Sequence, residues 1–532
     1  MPQERPPAFV LPFVSAQPLT DHHCHGILAE GGDLEELLTE GDGGPRAGGT
    51  AFDSLPGLAF RRWCPPLLDL PAHAPIEEYA ARRAELGGAE VNRRFLAACG
   101  LGALVVDTGY TPRALLSPAQ TAAFAGPATS AFEIVRLEKV AESLAAEGAG
   151  PDGFPDAFRA ALARRVAAPG VVGLKSIAAY RVGLDLAARR PTDAEVTAAA
   201  RSWLGGGATV PRLAQEALHR FFIWTGADLG LPIQFHVGYG DRDVDLHRCN
   251  PLLLTPLLRA LEPAGVPVML LHNYPYHRQA GYLAQVFPHV YADLGLATHN
   301  VGSRAPAVLA EALEMVPFGK FLFSSDAFGL AELYYLGTLL FRQALSRFLR
   351  GMLDDDDITL ADAERITRLI GTENAARAYR LLPGGRLCRA RCGLYPAHRG
   401  DRGPAADDAA TRPRGRPRRT ARAALAAGPG HRLDPRGTVP PGRPAVRIPS
   451  APAGPCHPHR HRHRGPRVAD RHRGTHARRG RRSDVLVGTG TPARGDDVTP
   501  TRNRRPVRRR RRRTPLTAEH NQTRFCQSGG TD

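Results

Sequence analysis

The chain is poor in several things, and each shortage removes a class of protein. Its eight cysteines, Cys24, Cys64, Cys99, Cys249, Cys388, Cys392, Cys456 and Cys526, form no paired CxxC framework, so no disulfide scaffold is implied. No apolar run reaches the roughly 18 residues needed to span a bilayer. The opening Met1-Pro-Gln-Glu-Arg5 is not the start of a secretory leader. A cytoplasmic protein with no membrane partner is therefore expected. Lysine is missing altogether from residues 384–532, which hold 36 arginines and 10 acidic residues. The formal net charge of +18 thus averages an acidic body over 1–383, near −8, with a tail near +26.

The tail is Arg, Pro, Gly, Ala, Thr and His with few bulky apolar residues, and includes His457-Pro-His-Arg-His-Arg-His463 and Arg508–Arg513. Such a segment buries too little apolar area to offset its ordering entropy, so disorder over 384–532 is expected. Three readings compete: an out-of-frame translation of GC-rich DNA, a basic arm for nucleic acid or another polyanion, and a His-rich metal tract. The lack of lysine speaks for the first.

Residues 1–383 alternate short apolar runs with helical segments. Eight runs read as buried parallel strands: Leu19–Gly26, Ala103–Gly109, Phe132–Glu138, Val171–Tyr180, Pro232–Gly238, Val266–Asn273, Val290–Leu296 and Phe321–Ser325. Most are continuously apolar and then end in a polar or ionisable residue. That pattern fits strands covered on both faces whose carboxyl ends open onto a site. Between them Ile76–Ala98 reads as a helical stretch, Ser117 with Gln120 and Thr192 with Glu195 as capping boxes, and 332–350 and 359–381 as closing helices. The fold class expected is α/β, a (β/α)8 TIM-type barrel, with a disordered basic C-terminal tail.

The strand ends carry the chemistry. His23 and His25 are two apart, so on a strand they share a face. His236 ends the fifth run, His272 the sixth, and Asp326 follows the eighth. In a parallel barrel these ends meet on one rim. Imidazoles with a carboxylate suit a divalent metal, zinc first among them, with a position left for water. Lys175 lies on the fourth run, where it could pair with an acid or donate to substrate. Arg181, just beyond, could hold a substrate carboxylate in a bidentate fork. Asp241, in the loop after His236, and Tyr274, after His272, are further substrate-binding candidates on the same rim. Glu138 and Asp107 read as groups that orient ligands. Cys24, between the two histidines, should face away from them.

As a set, Asp21-His-His-Cys-His-Gly26, Gly173-Leu-Lys-Ser-Ile-Ala-Ala-Tyr-Arg181, Phe235-His-Val-Gly238, Leu270-Leu-His-Asn-Tyr-Pro275, Tyr291-Ala-Asp-Leu-Gly295 and Ser324-Ser-Asp326 resemble the metal-dependent amidohydrolase superfamily. The branch is the amidohydrolase-related one, as in the N-terminal domain of FluG-type proteins. The resemblance covers about residues 15–382. It implies that His23, His25, His236 and Asp326 bind metal, that Asp326 is the general base, and that His272 polarises substrate, shuttles a proton or ligates a second ion. It places Lys175 where two-metal members carry a bridging carbamylated lysine, so one ion or two are both open.

The function expected is a metal-dependent hydrolase that turns a metal-activated water on an amide, ester or lactone of a small, carboxylate-bearing substrate. A non-oxidative decarboxylase would use the same ligand set. A basic-tailed nucleic-acid-binding protein with an idle barrel is the alternative of another class. A small-molecule substrate is the expected partner; nucleic acid enters only if the tail is a genuine arm, and a homo-oligomer stays open.

Overall fold

The structure, a computed structural model, describes residues 9–41, 49–205, 212–382 and 386–387. Apart from Arg386–Leu387, which pair antiparallel with Leu381–Leu382 where disorder was expected, the readings of the tail lie outside the described residues. Among the described residues no helix is long and apolar enough to cross a membrane, and Cys24, Cys64, Cys99 and Cys249 are buried and unpaired.

Seven of the apolar runs are strands: β1 Leu19–Cys24, β2 Leu101–Asp107, β3 Ser130–Arg136, β4 Val171–Ser176, β5 Ile233–His236, β6 Val268–Leu271 and β7 Val290–Ala292. Each pairs in parallel with the next, in chain order. The eighth run is not a regular strand. Leu322 donates its backbone N–H to Ala292 on β7 at 3.0 Å, while His22 of β1 donates to Phe323 at 3.1 Å and Asp326 donates to His23 at 3.0 Å. The segment thus joins the first strand to the last and closes the barrel without a continuous ladder. The cause is local. Ser325 gives both its backbone N–H (2.9 Å) and its hydroxyl to the buried Asp21 carboxylate, so a side chain replaces the next ladder acceptor. Asp326 then turns the backbone with φ +53°.

Strand parity separates two cores. Ala103 and Val105 on β2, Phe132 and Ile134 on β3, Met269 and Leu271 on β6 and Tyr291 on β7 pack together with Tyr379. Leu104, Val106, Val135 and Leu270 belong to the larger core shared with the helices. Side chains two apart share a face, so the inner row of β2 continues to Asp107 and that of β3 to Arg136. On β4, Gly173 abuts Ile134 and Tyr379, which puts Lys175 on the inner row as well. The barrel is therefore apolar below and ionisable at its carboxyl rim.

Most helix expectations meet modest adjustments. Both capping boxes form, at Ser117/Gln120 and at Thr192/Glu195. The helical stretch expected over 76–98 is built of two helices, Ile76–Leu86 and Gly88–Ala98, because Gly87 adopts φ +76°. β3 stops at Arg136, and Glu138 falls in the first turn of the following helix, Leu137–Ala146. The chain closes with the helix Ala331–Asp354, then Leu360–Arg368, a π-turn and Asn374–Tyr379.

Candidate metal centre

His23, His25 and Asp326 each present a ligand atom, and these atoms lie within 4.8 Å of one another. The Nε2 atoms of His23 and His25 are 3.1 and 3.4 Å from Asp326 Oδ1, and His272 Nδ1 is 3.1 Å from Oδ2. Close as they are, Asp326 Oδ1, both nitrogens of His272 and Nε2 of His236 have no hydrogen-bond partner among the described residues. Buried polar atoms are nearly always paired. Atoms that crowd together without bonding one another fit a shared cation, and the imidazole and carboxylate donors suit a borderline divalent ion. His236 stands outside the compact trio. Its ring packs on His272 (4.7 Å) and on Tyr180 (4.4 Å).

Hydrogen bonds behind the rings fix which nitrogen faces the centre. His23 Nδ1 donates to Gln234 Oε1 at 2.8 Å, and His25 Nδ1 to the Asp107 carbonyl at 3.2 Å. With Nδ1 protonated, each Nε2 keeps its lone pair for a ligand role. The Gln234 amide is itself oriented, because its Nε2 donates to the His22 carbonyl (2.9 Å) and the Tyr379 hydroxyl (2.7 Å). Tyr379 also meets His22 Nδ1 at 3.0 Å, and His22 Nε2 meets Asp293 Oδ2 at 2.8 Å. Asp293 Oδ1 accepts from the His272 backbone N–H at 2.6 Å. One buried network thus runs from the last helix to both His23 and His272.

Burial, with the Lys175 charge beside it, lowers the His23 pKa to about 4. Burial likewise holds His236 and His272 well below the usual imidazole range, so these rings are neutral near pH 7, as metal ligands must be. Burial alone would raise the Asp326 carboxyl, but His272, His23 and His25 outweigh it and keep the group well below the usual carboxylate range. Lys175 Nζ is 2.8 Å from His23 Nε2 and 3.6 Å from Asp107 Oδ2. Burial lowers its pKa against the opposing pull of Asp107. Asp107, also paired with Arg136, is held low by those two cations despite its burial.

Above the ligand atoms lies a cavity of about 400 Å³ whose lining includes His25, Lys175, Arg181, His236, Asp241, His272 and Asp326. Arg181 sits on the short helix Ala178–Arg181 and reaches Asp243 at 3.3 Å. Tyr274 does not line the cavity, contrary to the expectation for it. Its ring stacks on His277 and meets Tyr239 edge-on, both at 5.8 Å. Proximity in sequence to His272 misled here, because the loop turns away through positive φ at His272 and Asn273. Glu138 binds Ser176, the Ile177 N–H and His219, a packing role beneath the rim. Cys24 lies in the helix-side core.

Sequence reasoning missed Gln234, Arg136 and Asp293. Gln234 is two residues before His236 and so on the same strand face; that parity was the available signal. Replacing Gln234 with Leu frees the His23 ring, and about 10–100-fold weaker metal affinity is expected, read by competition with a chelating dye. Unchanged affinity would contradict the orienting role.

A family model described as amidohydrolase matches residues 134–381. Protein fluG of Emericella nidulans is 28% identical over 411 residues, which are 69% of this chain and 46% of that protein. The chain thus spans about half the length of the curated relative it matches. A crystal structure from Lactobacillus casei ATCC 334, provisionally described as a metal-dependent hydrolase, is 32% identical. The match covers 69% of this chain and 96% of that one, with a TM-score of 0.60. A uronate isomerase from Thermotoga maritima is more distant, at 13% identity and a TM-score of 0.48 over 69% of this chain and 95% of that one.

Proposed function

The chain belongs to the amidohydrolase superfamily, and on that premise we propose that it is a metal-dependent hydrolase acting on an amide, ester or lactone of a small, carboxylate-bearing molecule. The observation that carries the reading is the convergence of His23 Nε2, His25 Nε2 and Asp326 Oδ1, with both ring tautomers set from behind by Gln234 and the Asp107 carbonyl.

His23, His25 and Asp326, joined by His236, would hold the ion, zinc being the first candidate for this donor set. A divalent ion held there would acidify water toward pKa ~7 and would supply a Lewis acid for the carbonyl oxygen. The remaining work falls to the protein. Asp326 is ionised near neutral pH and accepts the proton of the attacking water. His272 Nδ1, 3.1 Å from Asp326 Oδ2, is placed to pass that proton to the leaving group. Arg181 offers its guanidinium to the substrate carboxylate from the cavity wall. Lys175 pairs with Asp107 at 3.6 Å, and a carbamylated form would serve a second ion.

The test is a panel of N-acyl amino acids, esters and lactones, each bearing a carboxylate, together with aromatic carboxylic acids. Amine, alcohol or ring-opened acid as product supports the reading. Release of CO₂ with no hydrolysis would move the assignment to a decarboxylase on the same residues.

A further inference from the structure

The cavity over the ligand atoms is built from two unlike walls. One comes from the loops after β4 and β5. Tyr180 packs on His236 at 4.4 Å, and the next residue, Arg181, carries a buried Nε with no hydrogen-bond partner. Its hydrogen bond to Asp243 is a long one, 3.3 Å from Nη1, and Asp243 is held more closely by Arg212 at 2.8 Å. Arg181 lines the cavity with its side chain 21% exposed, and a guanidinium has five N–H groups to satisfy, more than the bond to Asp243 takes up.

The other wall comes from the far side of the barrel. Phe328 follows the closing segment, Leu296 follows β7, and Leu333 stands in the first turn of the helix Ala331–Asp354; all three line the cavity. Phe328 and Tyr110 pair at 5.0 Å, and their rings lie 6.0 and 5.8 Å from that of His25. The aromatic wall thus begins at His25 and a charged wall, where Asp241 and Asp243 stand with Arg181, begins at His236, with Asp326 among the histidines between them. Glu36 also reaches the cavity but is neutralised by Arg113.

We propose that the substrate is amphipathic, with a carboxylate held by Arg181 at one end and an aromatic or similarly bulky apolar group held by Phe328, Leu296 and Leu333 at the other. The bond to be broken then lies over the ligand atoms. This deepens the hydrolase reading and rests on its placement of the reacting centre. A ligand with only the charge leaves the apolar wall wet, and one with only the ring leaves the Arg181 guanidinium without its anion; each omission costs affinity.

The test uses three unreactive probes on the metal-loaded full chain, by calorimetry: 4-phenylbutanoate, butanoate and 4-phenylbutan-1-ol. The first is expected to bind about tenfold or more tighter than either of the others. Arg181→Met should erase its advantage over the alcohol while sparing its advantage over butanoate. Phe328→Leu or Phe328→Ala should do the reverse, with the melting temperature of each variant confirming a folded chain. Equal binding of 4-phenylbutanoate and butanoate would overturn the proposal, as would a carboxylate preference that survives Arg181→Met because the metal alone takes the anion. Binding does not require turnover. The probe pattern without hydrolysis would sink the reaction and keep the substrate class; hydrolysis without the probe pattern would do the opposite.

Discussion

Asp326→Asn is expected to lower turnover by about 10³-fold, within the range general base groups contribute, in a chain that remains folded. The two side chains have nearly the same shape, so packing at the rim is preserved. What changes is the proton chemistry. In the native chain Oδ1 faces the Nε2 lone pairs of His23 and His25 and Oδ2 faces His272 Nδ1, an arrangement of acceptors that a shared cation reconciles. An amide brings an NH₂ group that points a donor at one of these partners and cannot accept a proton from water. Metal affinity should fall too, because a charged ligand is lost. Excess metal is expected to restore occupancy and not rate. A variant that keeps more than about a tenth of native turnover at saturating metal would remove Asp326 from the role of base.

Gly295→Val is the second large effect, and it separates His272 from the metal. Gly295 has φ +49°, a conformation costly for any residue with a Cβ and worst for a branched one. A Cβ at this position would sit 2.3 Å from His272 Nδ1 and 3.3 Å from its Cα. The His272 ring is fully buried and its backbone N–H is pinned to Asp293, so it cannot retreat without breaking the network below it. The ring must instead swing from Asp326. Turnover is expected to fall about 10²-fold, with the metal retained on His23, His25 and Asp326. If metal and rate fall together by the same factor, His272 is a ligand of the working ion and not a proton carrier.

Much of the barrel was legible because its strands obey simple rules. A run such as Leu104-Val-Val106 is apolar on both faces, which only a doubly covered strand explains, and the polar residue that ends it marks the rim. The same period of two put His23 and His25 on one face. The closing segment was legible as apolar but not as irregular, since nothing in Phe321–Ser325 announces that Ser325 will spend its N–H on the Asp21 side chain. His272 shows a different limit. Leu271 faces the barrel interior, so parity alone turns position 272 away; the positive φ of +70° brings it back to Asp326. Tyr274 lies beyond that turn and is lost to the cavity for the same reason. Arg136 and Gln234 were on the correct faces to be found, but their types carry no ligand chemistry of their own. They became meaningful once the groups behind His23 and His25 were in view.

The central claim is that His23, His25 and Asp326 hold a divalent metal on which turnover depends. Elemental analysis of the purified full chain, paired with activity before and after chelation, tests it most directly. A full equivalent of metal or more per chain is expected, with loss of both metal and activity in His23→Ala and recovery of the chelated native chain when zinc or another divalent ion is returned. Two equivalents would assign the bridging role to Lys175. Full activity in metal-free His23→Ala protein would contradict the account.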